Sequence, residues 1–320
     1  MSQEIALLDS SPVAAPDKRL IVGLELTNAC NFRCPICPQS YRYAKKPQPA
    51  GAAYDRAIGN ISVAVFRRVV DECERVAKMV ELNFFGEQTL HPKYHDFLDI
   101  LAGRQHFQLV TNTNMSLMDE KTMRTWIHAR MDQVRLSIDA IDSDVFDVAR
   151  PGRVKDLSGK SIKTDRLKAI HDKMKLWFSM PDHRPTRLVF VESQYNKGQS
   201  QRFIDFWQPF LGERDEIIVK PVLSYGGKIS DPSITHGSCN VWDLKMCQLD
   251  WQGNVSPCNL DVNMDLRLGN IMENSLYNIY YSDEARTLQK KTGCGNDVTP
   301  CKTCTDSNFW EGIIRVKGGE

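Results

Sequence analysis

Short apolar runs alternate along the chain with longer stretches whose apolar residues recur every three or four positions. LIVGLELT at 20–27, VELNFF at 80–85, FQLVT at 107–111, QVRLSID at 133–139, RLVFVES at 187–193 and EIIVKPV at 216–222 are rich in branched and aromatic side chains and are predicted strands. Between them, 63–78, 94–102, 119–129, 164–178 and 201–211 carry the spacing of amphipathic helices. Strands that alternate with helices imply an α/β fold. From about residue 231 the pattern changes to hairpin-like pieces. CQLDWQGNVSPCNLD holds a turn, Gln252-Gly253-Asn254, between two short strands, and 276–290 reads as one more helix.

The 320 residues suffice for one large domain or one large and one small, and 42% hydrophobic content supplies a sizeable core. The 41 basic and 40 acidic side chains leave a formal charge of +1, which argues against a dedicated nucleic-acid binder. No window offers 18 consecutive apolar residues, so no membrane span is expected. The start, MSQEIALLDSSPVAAPDKR, lacks the basic-then-apolar pattern of a secretory signal, and a cytoplasmic location is expected. In a reducing compartment the ten cysteines are then expected to bind metal or do chemistry rather than form disulfides.

The cysteines fall in two groups. Cys30, Cys34 and Cys37 form C-x3-C-x2-C directly after the first predicted strand, at the strand end where α/β barrels place their chemistry. Three thiolates leave one corner of a [4Fe–4S] cubane open for a ligand. A zinc site with a remote fourth ligand is the other reading of that spacing. The second group is Cys239, Cys258, Cys301 and Cys304, separated by 18, 42 and 2 residues. Four such cysteines can close a cubane or a zinc site. Cys294 precedes Cys301 in a C-x6-C-x2-C run and is an alternative ligand there. Cys73 lies in a helical pattern and is expected to pack as a small hydrophobe.

A strand followed by CNFRCPIC resembles the radical S-adenosylmethionine (radical SAM) superfamily. The resemblance implies a partial (β/α)6 TIM barrel and a [4Fe–4S] cluster on Cys30, Cys34 and Cys37, whose unique iron is chelated by the methionine end of SAM. Three later motifs match the family in order. Phe85-Gly86-Glu87-Gln88 resembles its GGEP segment, implying that Gly86 and Glu87 bind the SAM amino group, with departures at Phe85 and Gln88. Thr111–Asn114 ends the third strand as the family's TNG segment does, and Ser137 begins a SIDA segment placed like its ribose-contacting serine. Arg150 stands where many members hold the SAM carboxylate, and Ile36 stands where many place an aromatic residue beside the adenine.

The second cysteine group resembles the twitch domain, the shortened SPASM extension, implying a second [4Fe–4S] cluster on Cys239, Cys258, Cys301 and Cys304. The chain continues for sixteen residues beyond Cys304 without another cysteine, so one auxiliary cluster is expected. The expected division is an N-terminal extension at 1–18, a barrel at 19–230 and the auxiliary-cluster domain at 231–320.

The resemblance extends to members that modify aminoglycosides and aminocyclitols in antibiotic biosynthesis, both epimerases and dehydrogenases. Cys247 is left over once both clusters are filled, and a thiol can return a hydrogen atom to a carbon radical. On that ground Cys247 is the expected catalytic residue of an epimerase. The alternatives are a dehydrogenase that passes an electron to the auxiliary cluster, and a peptide-modifying enzyme. The implied partners are an aminoglycoside or aminocyclitol and an external electron donor such as flavodoxin or ferredoxin. A polycationic substrate calls for carboxylates, and Glu25, Asp139, Glu192 and Asp250 lie on or at the ends of predicted strands. The Pro- and Gly-containing segment 40–60 and the segment 151–161 are expected loops over the barrel mouth.

Overall fold

The computed structural model describes residues 19–43, 54–232, 234, 239–293, 295–305 and 314–319. In chain order the barrel elements are β1 (Leu20–Leu24), α1 (Val63–Val76), β2 (Ala77–Leu82), α2 (Tyr94–Ala102), β3 (Gln108–Thr113), α3 (Glu120–His128), β4 (Gln133–Ser137), α4 (Ser143–Ala149), the short strands β5 (Val154–Lys155) and β6 (Ser161–Ile162), α5 (Arg166–Ser179), β7 (Thr186–Glu192), α6 (Ser200–Trp207) and β8 (Glu216–Pro221). The C-terminal part adds β9 (Met246–Leu249), β10 (Asn254–Ser256), β11 (Gly269–Asn270), α7 (Leu276–Tyr280), α8 (Asp283–Lys291) and β12 (Ile314–Lys317).

β1, β2, β3, β4, β7 and β8 pair in parallel in that order, the open, partial barrel expected. Alternate strand residues face outward beneath the helices. Val22 and Leu24 on β1 and Phe66, Val69, Cys73 and Val76 on α1 are all buried in one core. Cys73 packs there as expected, at 0% exposure.

The sheet does not stop at residue 230. β9 adds to β1 in parallel, β10 and β11 follow antiparallel, and β12 pairs antiparallel with β8. Both edges of the open barrel are thus covered by the C-terminal part, which removes two exposed strand edges. The division at 230/231 is a change of sequence pattern and not a break in the sheet. The N-terminal extension at 1–18 lies outside the described residues.

Several boundaries differ from expectation for local reasons. The helix predicted at 63–78 ends at Val76, because Ala77 already pairs with Leu20. The helix predicted at 201–211 gives way at Gln208–Phe210 to a single 3-10 turn, where Pro209 supplies no N–H. The helix predicted at 276–290 is two helices, since the Ser282 hydroxyl accepts from Ala285 N at 3.0 Å and caps a new start. Among the described residues no helix is long and apolar enough to cross a membrane.

Candidate active site

The chain leaves β1 and turns into the cysteine loop. That loop is held from two sides. Pro151 O accepts from Arg33 N at 2.7 Å and Asn31 O accepts from Arg153 N at 3.1 Å. Gly152 lies flat on Phe32, and a Cβ there would fall 2.0 Å from the ring. Residues 151–153 of the segment 151–161 are therefore a clamp on the cysteine loop. The end of β2 crosses beneath the loop from the other side: Glu87 N donates to Ala29 O at 2.8 Å. Gly86 adopts φ +88°, and a Cβ there would sit 2.3 Å from Thr27 O, so only glycine fits. Gln88, standing where the family motif has proline, ties this turn to β1. Its Oε1 accepts from Leu26 N at 2.6 Å and its Nε2 donates to Phe85 O at 3.0 Å.

One cavity brings together Cys30, Cys34, Cys37, Ile36, Gly86, Glu87, Ser137 and Arg150, which are all the residues expected around the first cluster and SAM. Glu87 is buried, and burial pushes its carboxyl above the usual range. Its Oε1 accepts from the Thr113 and Thr89 hydroxyls at 2.9 and 2.8 Å, and its Oε2 from Asn114 N at 2.8 Å. Arg150 donates to Asp139, and its buried Nε has no partner. The cavity also holds a residue that strand alternation could not single out. Lys220, next to the end of β8, lines it, and among the described residues its Nζ has no hydrogen-bond or ion-pair partner. Burial, then the nearby Arg135, lowers its pKa.

The second cysteine group also converges. Cys239, Cys258, Cys301 and Cys304 line one recess with Val241, Trp242, Pro257, Leu260, Leu266 and Pro300, and no charged side chain is among its described lining residues. Cys294 lies outside the described residues.

Cys247 is placed differently from expectation. In the β1–β9 register it pairs with Val22, while Gln248 pairs with Gly23. It therefore shares the outward face of Val22 and is fully buried under α1, with Cys73 and Tyr280 beside it. It is not among the described residues that line the cavity. The carboxylates expected to receive a polycation are also engaged. Glu25 pairs with Arg56, Asp139 with Arg150, Asp250 caps its own hairpin through Gln252 N and Asn254 N, and Glu192 accepts from the Ser200 hydroxyl at 3.1 Å. Among the described residues, the charged side chains lining the cavity are Glu87, Arg150 and Lys220.

Arg56 comes from the segment expected to be a loop cover. Residues 44–53 lie outside the described residues, and 54–60 are tied down. Asn28 donates to Ala57 O and accepts from Gly59 N, both at 2.8 Å, and Thr27 Oγ1 donates to Gly59 O at 2.9 Å.

The model of the radical SAM superfamily matches residues 24–175, and that of an iron–sulfur cluster-binding domain, SPASM, matches 239–305. The chain is a SPASM-bearing radical SAM enzyme. It is similar to the tungsten-containing aldehyde ferredoxin oxidoreductase cofactor-modifying protein of Pyrococcus furiosus, 22% identical over 92% of this chain and 88% of that protein. It also resembles the GTP 3′,8-cyclase of Vibrio vulnificus, 23% identical over 53% of this chain, and spans about half (52%) of that protein's length. Among solved structures, Streptococcus suis SuiB bound to precursor peptide SuiA matches with a TM-score of 0.65 at 13% identity, over 92% of this chain and 72% of that one. BtrN in complex with AdoMet and 2-DOIA matches with a TM-score of 0.52 at 14% identity, over 85% of this chain and 86% of that one. These share the fold.

A radical SAM enzyme requires SAM and a [4Fe–4S] cluster, and a SPASM domain implies further iron–sulfur centres. The residues present fit both. The first cavity offers three thiols, a carboxylate and an arginine with an unpartnered buried Nε, a set suited to a cluster and the zwitterionic end of SAM. The recess offers four thiols in an apolar wall, suited to a fully ligated cluster.

Proposed function

We propose that this radical SAM enzyme is a dehydrogenase that oxidises a secondary alcohol of a cyclic polyol. Cys30, Cys34 and Cys37 hold the SAM-cleaving cluster, and Cys239, Cys258, Cys301 and Cys304 an auxiliary one. The observation that carries this is the loop after β8: Tyr225 lines the first cavity and the next residue, Gly226, lines the four-cysteine recess. The two sites share a wall one residue thick in sequence. The wall is fixed, because Thr303 Oγ1 donates to Gly226 O and a Cβ on Gly226 would lie 2.6 Å from Pro300.

When bound, SAM and the two clusters supply hydrogen-atom abstraction from an unactivated C–H and a one-electron acceptor beside it. The chain does the rest. Arg150 would hold the SAM carboxylate, Gly86 and Glu87 its ammonium and Ser137 the ribose, and Ile36 would pack on the adenine. The apolar part of the wall, including Phe84, Phe85, Val189, Val191 and Val222, keeps water from a reactive carbon. Lys220 Nζ, whose pKa burial lowers, takes the alcohol proton. Epimerisation needs a hydrogen donor instead, and among the described residues the only thiols lining the cavity are Cys30, Cys34 and Cys37.

The test is turnover of a panel of cyclitols, aminocyclitols included, by the reconstituted enzyme in deuterated water. A ketone lighter by the mass of one hydrogen molecule is expected. A product of the substrate's composition carrying one solvent deuterium would establish epimerisation and overturn the dehydrogenase.

A further inference from the structure

Asp139, the acidic residue of the SIDA segment, has no part in the reaction described so far, and its surroundings give it one. β4 ends at Ser137, which lines the cavity. Two residues later the backbone turns through φ +58° at Asp139, a left-handed conformation that aspartate tolerates better than most residues. The turn carries the side chain into the interior, where Asp139 is 1% exposed. It is not among the described residues that line the cavity.

A buried carboxylate is costly unless its oxygens are met, and both oxygens of this one are. Oδ1 accepts from Val191 N at 2.8 Å, and Oδ2 accepts from Arg150 Nη2. The backbone beneath the carboxylate is fixed as well. Asn196 Nδ2 donates to Asp139 O and to Val191 O, both at 2.8 Å, and Asn196 Oδ1 accepts from Ser193 N at 2.7 Å. The carboxylate thus stands on a frame built from the ends of β4 and β7.

Arg150 is the mobile partner. It ends α4 outside the helical region, at φ −133° and ψ +56°, and its long side chain reaches the cavity wall. Among the described residues Asp139 is its one ion-pair partner. A guanidinium is a planar fork of N–H donors. With Nη2 turned to Asp139, the rest of the fork is left for a second planar anion, and a carboxylate is one. The fork is then held before the ligand arrives, so less side-chain freedom is lost on binding. Asp139 also offsets part of the charge that would attract that anion, but orientation outweighs this. The other acidic groups acting on Arg150 are the Cys34 and Cys30 thiols, and without Asp139 the fork would turn to them.

We propose that Asp139 is a positioning residue of the SAM site, which aims Arg150 at the SAM carboxylate without itself touching SAM. The proposal rests on the reading of Arg150 as the partner of that carboxylate and is independent of the fate of the substrate radical.

The test is calorimetric titration of SAM into the full chain, reconstituted anaerobically and kept without reductant, so that SAM is bound and not cleaved. Asp139→Asn keeps an oxygen for Val191 N and a residue that accepts the left-handed turn, so it isolates the pairing with Arg150. It should weaken SAM about tenfold, the scale of one lost charged hydrogen bond. Arg150→Met should weaken SAM at least as much. The chain carrying both substitutions should bind SAM no more weakly than Arg150→Met, because Asp139 acts only through the guanidinium. Decarboxylated SAM, which lacks the group that Arg150 meets, should bind the intact chain and Asp139→Asn equally.

Unchanged or tighter SAM binding in Asp139→Asn would overturn the proposal. So would losses that add in the doubly substituted chain, or an equal loss for decarboxylated SAM, which are the results of a merely structural role. Unchanged SAM binding in Arg150→Met would instead overturn the reading of Arg150, and the proposal with it. Arg150→Met leaves Asp139 buried and unpaired; should that variant not fold, the two SAM probes on Asp139→Asn decide the question by themselves.

Discussion

The two cysteine sites are built from opposite materials. The first lies in a cavity whose lining includes Glu87, Arg150 and Lys220, while no charged side chain is among the described lining of the second. A site that must grip both charged ends of SAM and a substrate needs charge in its wall. A site whose four thiolates fill every corner of its cluster needs only a rigid apolar shell. The same residue type therefore serves two purposes, and the surroundings decide which. On the dehydrogenase proposal, the shared loop at Tyr225 and Gly226 would set the chemistry of one site beside an electron acceptor in the other.

The largest effect that would break this division of labour is a matched pair of substitutions. Cys34→Ala should abolish SAM cleavage and leave about four of about eight irons per reconstituted chain. Cys258→Ser should lose the auxiliary irons and the ketone, yet still release 5′-deoxyadenosine. Iron and sulfide content together with the nucleoside product check both. Loss of SAM cleavage in Cys258→Ser would mean that the sites are not separable.

Lys220→Met should slow product formation about a hundredfold, the usual scale for a lost general base. Its pH profile sharpens the point. Below its folded-state pKa Lys220 is an ammonium and takes no proton, so the rate of the intact enzyme should rise with pH. It should level off below the ordinary lysine value of 10.5, since burial lowers the pKa. The rising limb should vanish in Lys220→Met.

The smallest effect concerns Cys247. Cys247→Ala should leave turnover unchanged and cost about 1 kcal/mol of stability for the buried sulfur removed, read as a modest fall in melting temperature. Lost turnover in a folded variant would bring this thiol back into the chemistry.

Much of the barrel is legible in the sequence because its signals are local. Each of the six parallel strands is a short branched run, and α1, α2 and α3 keep the expected spacing to within a few residues. α4 escapes notice because its seven residues are too few for a periodic pattern, and β12 because four residues, all exposed but Val316, carry no strand signal of their own. The candidates for the SAM side come from motifs: Gly86, Glu87 and Ser137 follow or end strands, Ile36 lies in the cysteine loop, and Arg150 follows α4. Lys220 and Gln248 had no motif, since a polar residue on a strand reads the same whether it faces a cavity, another side chain or solvent. Arg56 lay in a segment whose composition gave only a loop; its placement depends on contacts with Glu25 and Asp250, 31 and 194 positions away in the sequence.

The sequence by itself determined the order of strands and helices, the two cysteine groups and the family they belong to, because those rest on spacing between near neighbours. Tertiary structure alone decided the fate of Cys247. Strand side chains alternate with a period of two, so a shift of one residue in the pairing of β9 with β1 would have turned Cys247 toward the lumen and Gln248 toward α1. That register is set by packing against α1 on one face and, on the other, by the fit of the Gln248 amide over Gly23, where a Cβ would fall 1.8 Å from its Oε1, and neither is visible until strands separated by more than two hundred residues lie side by side.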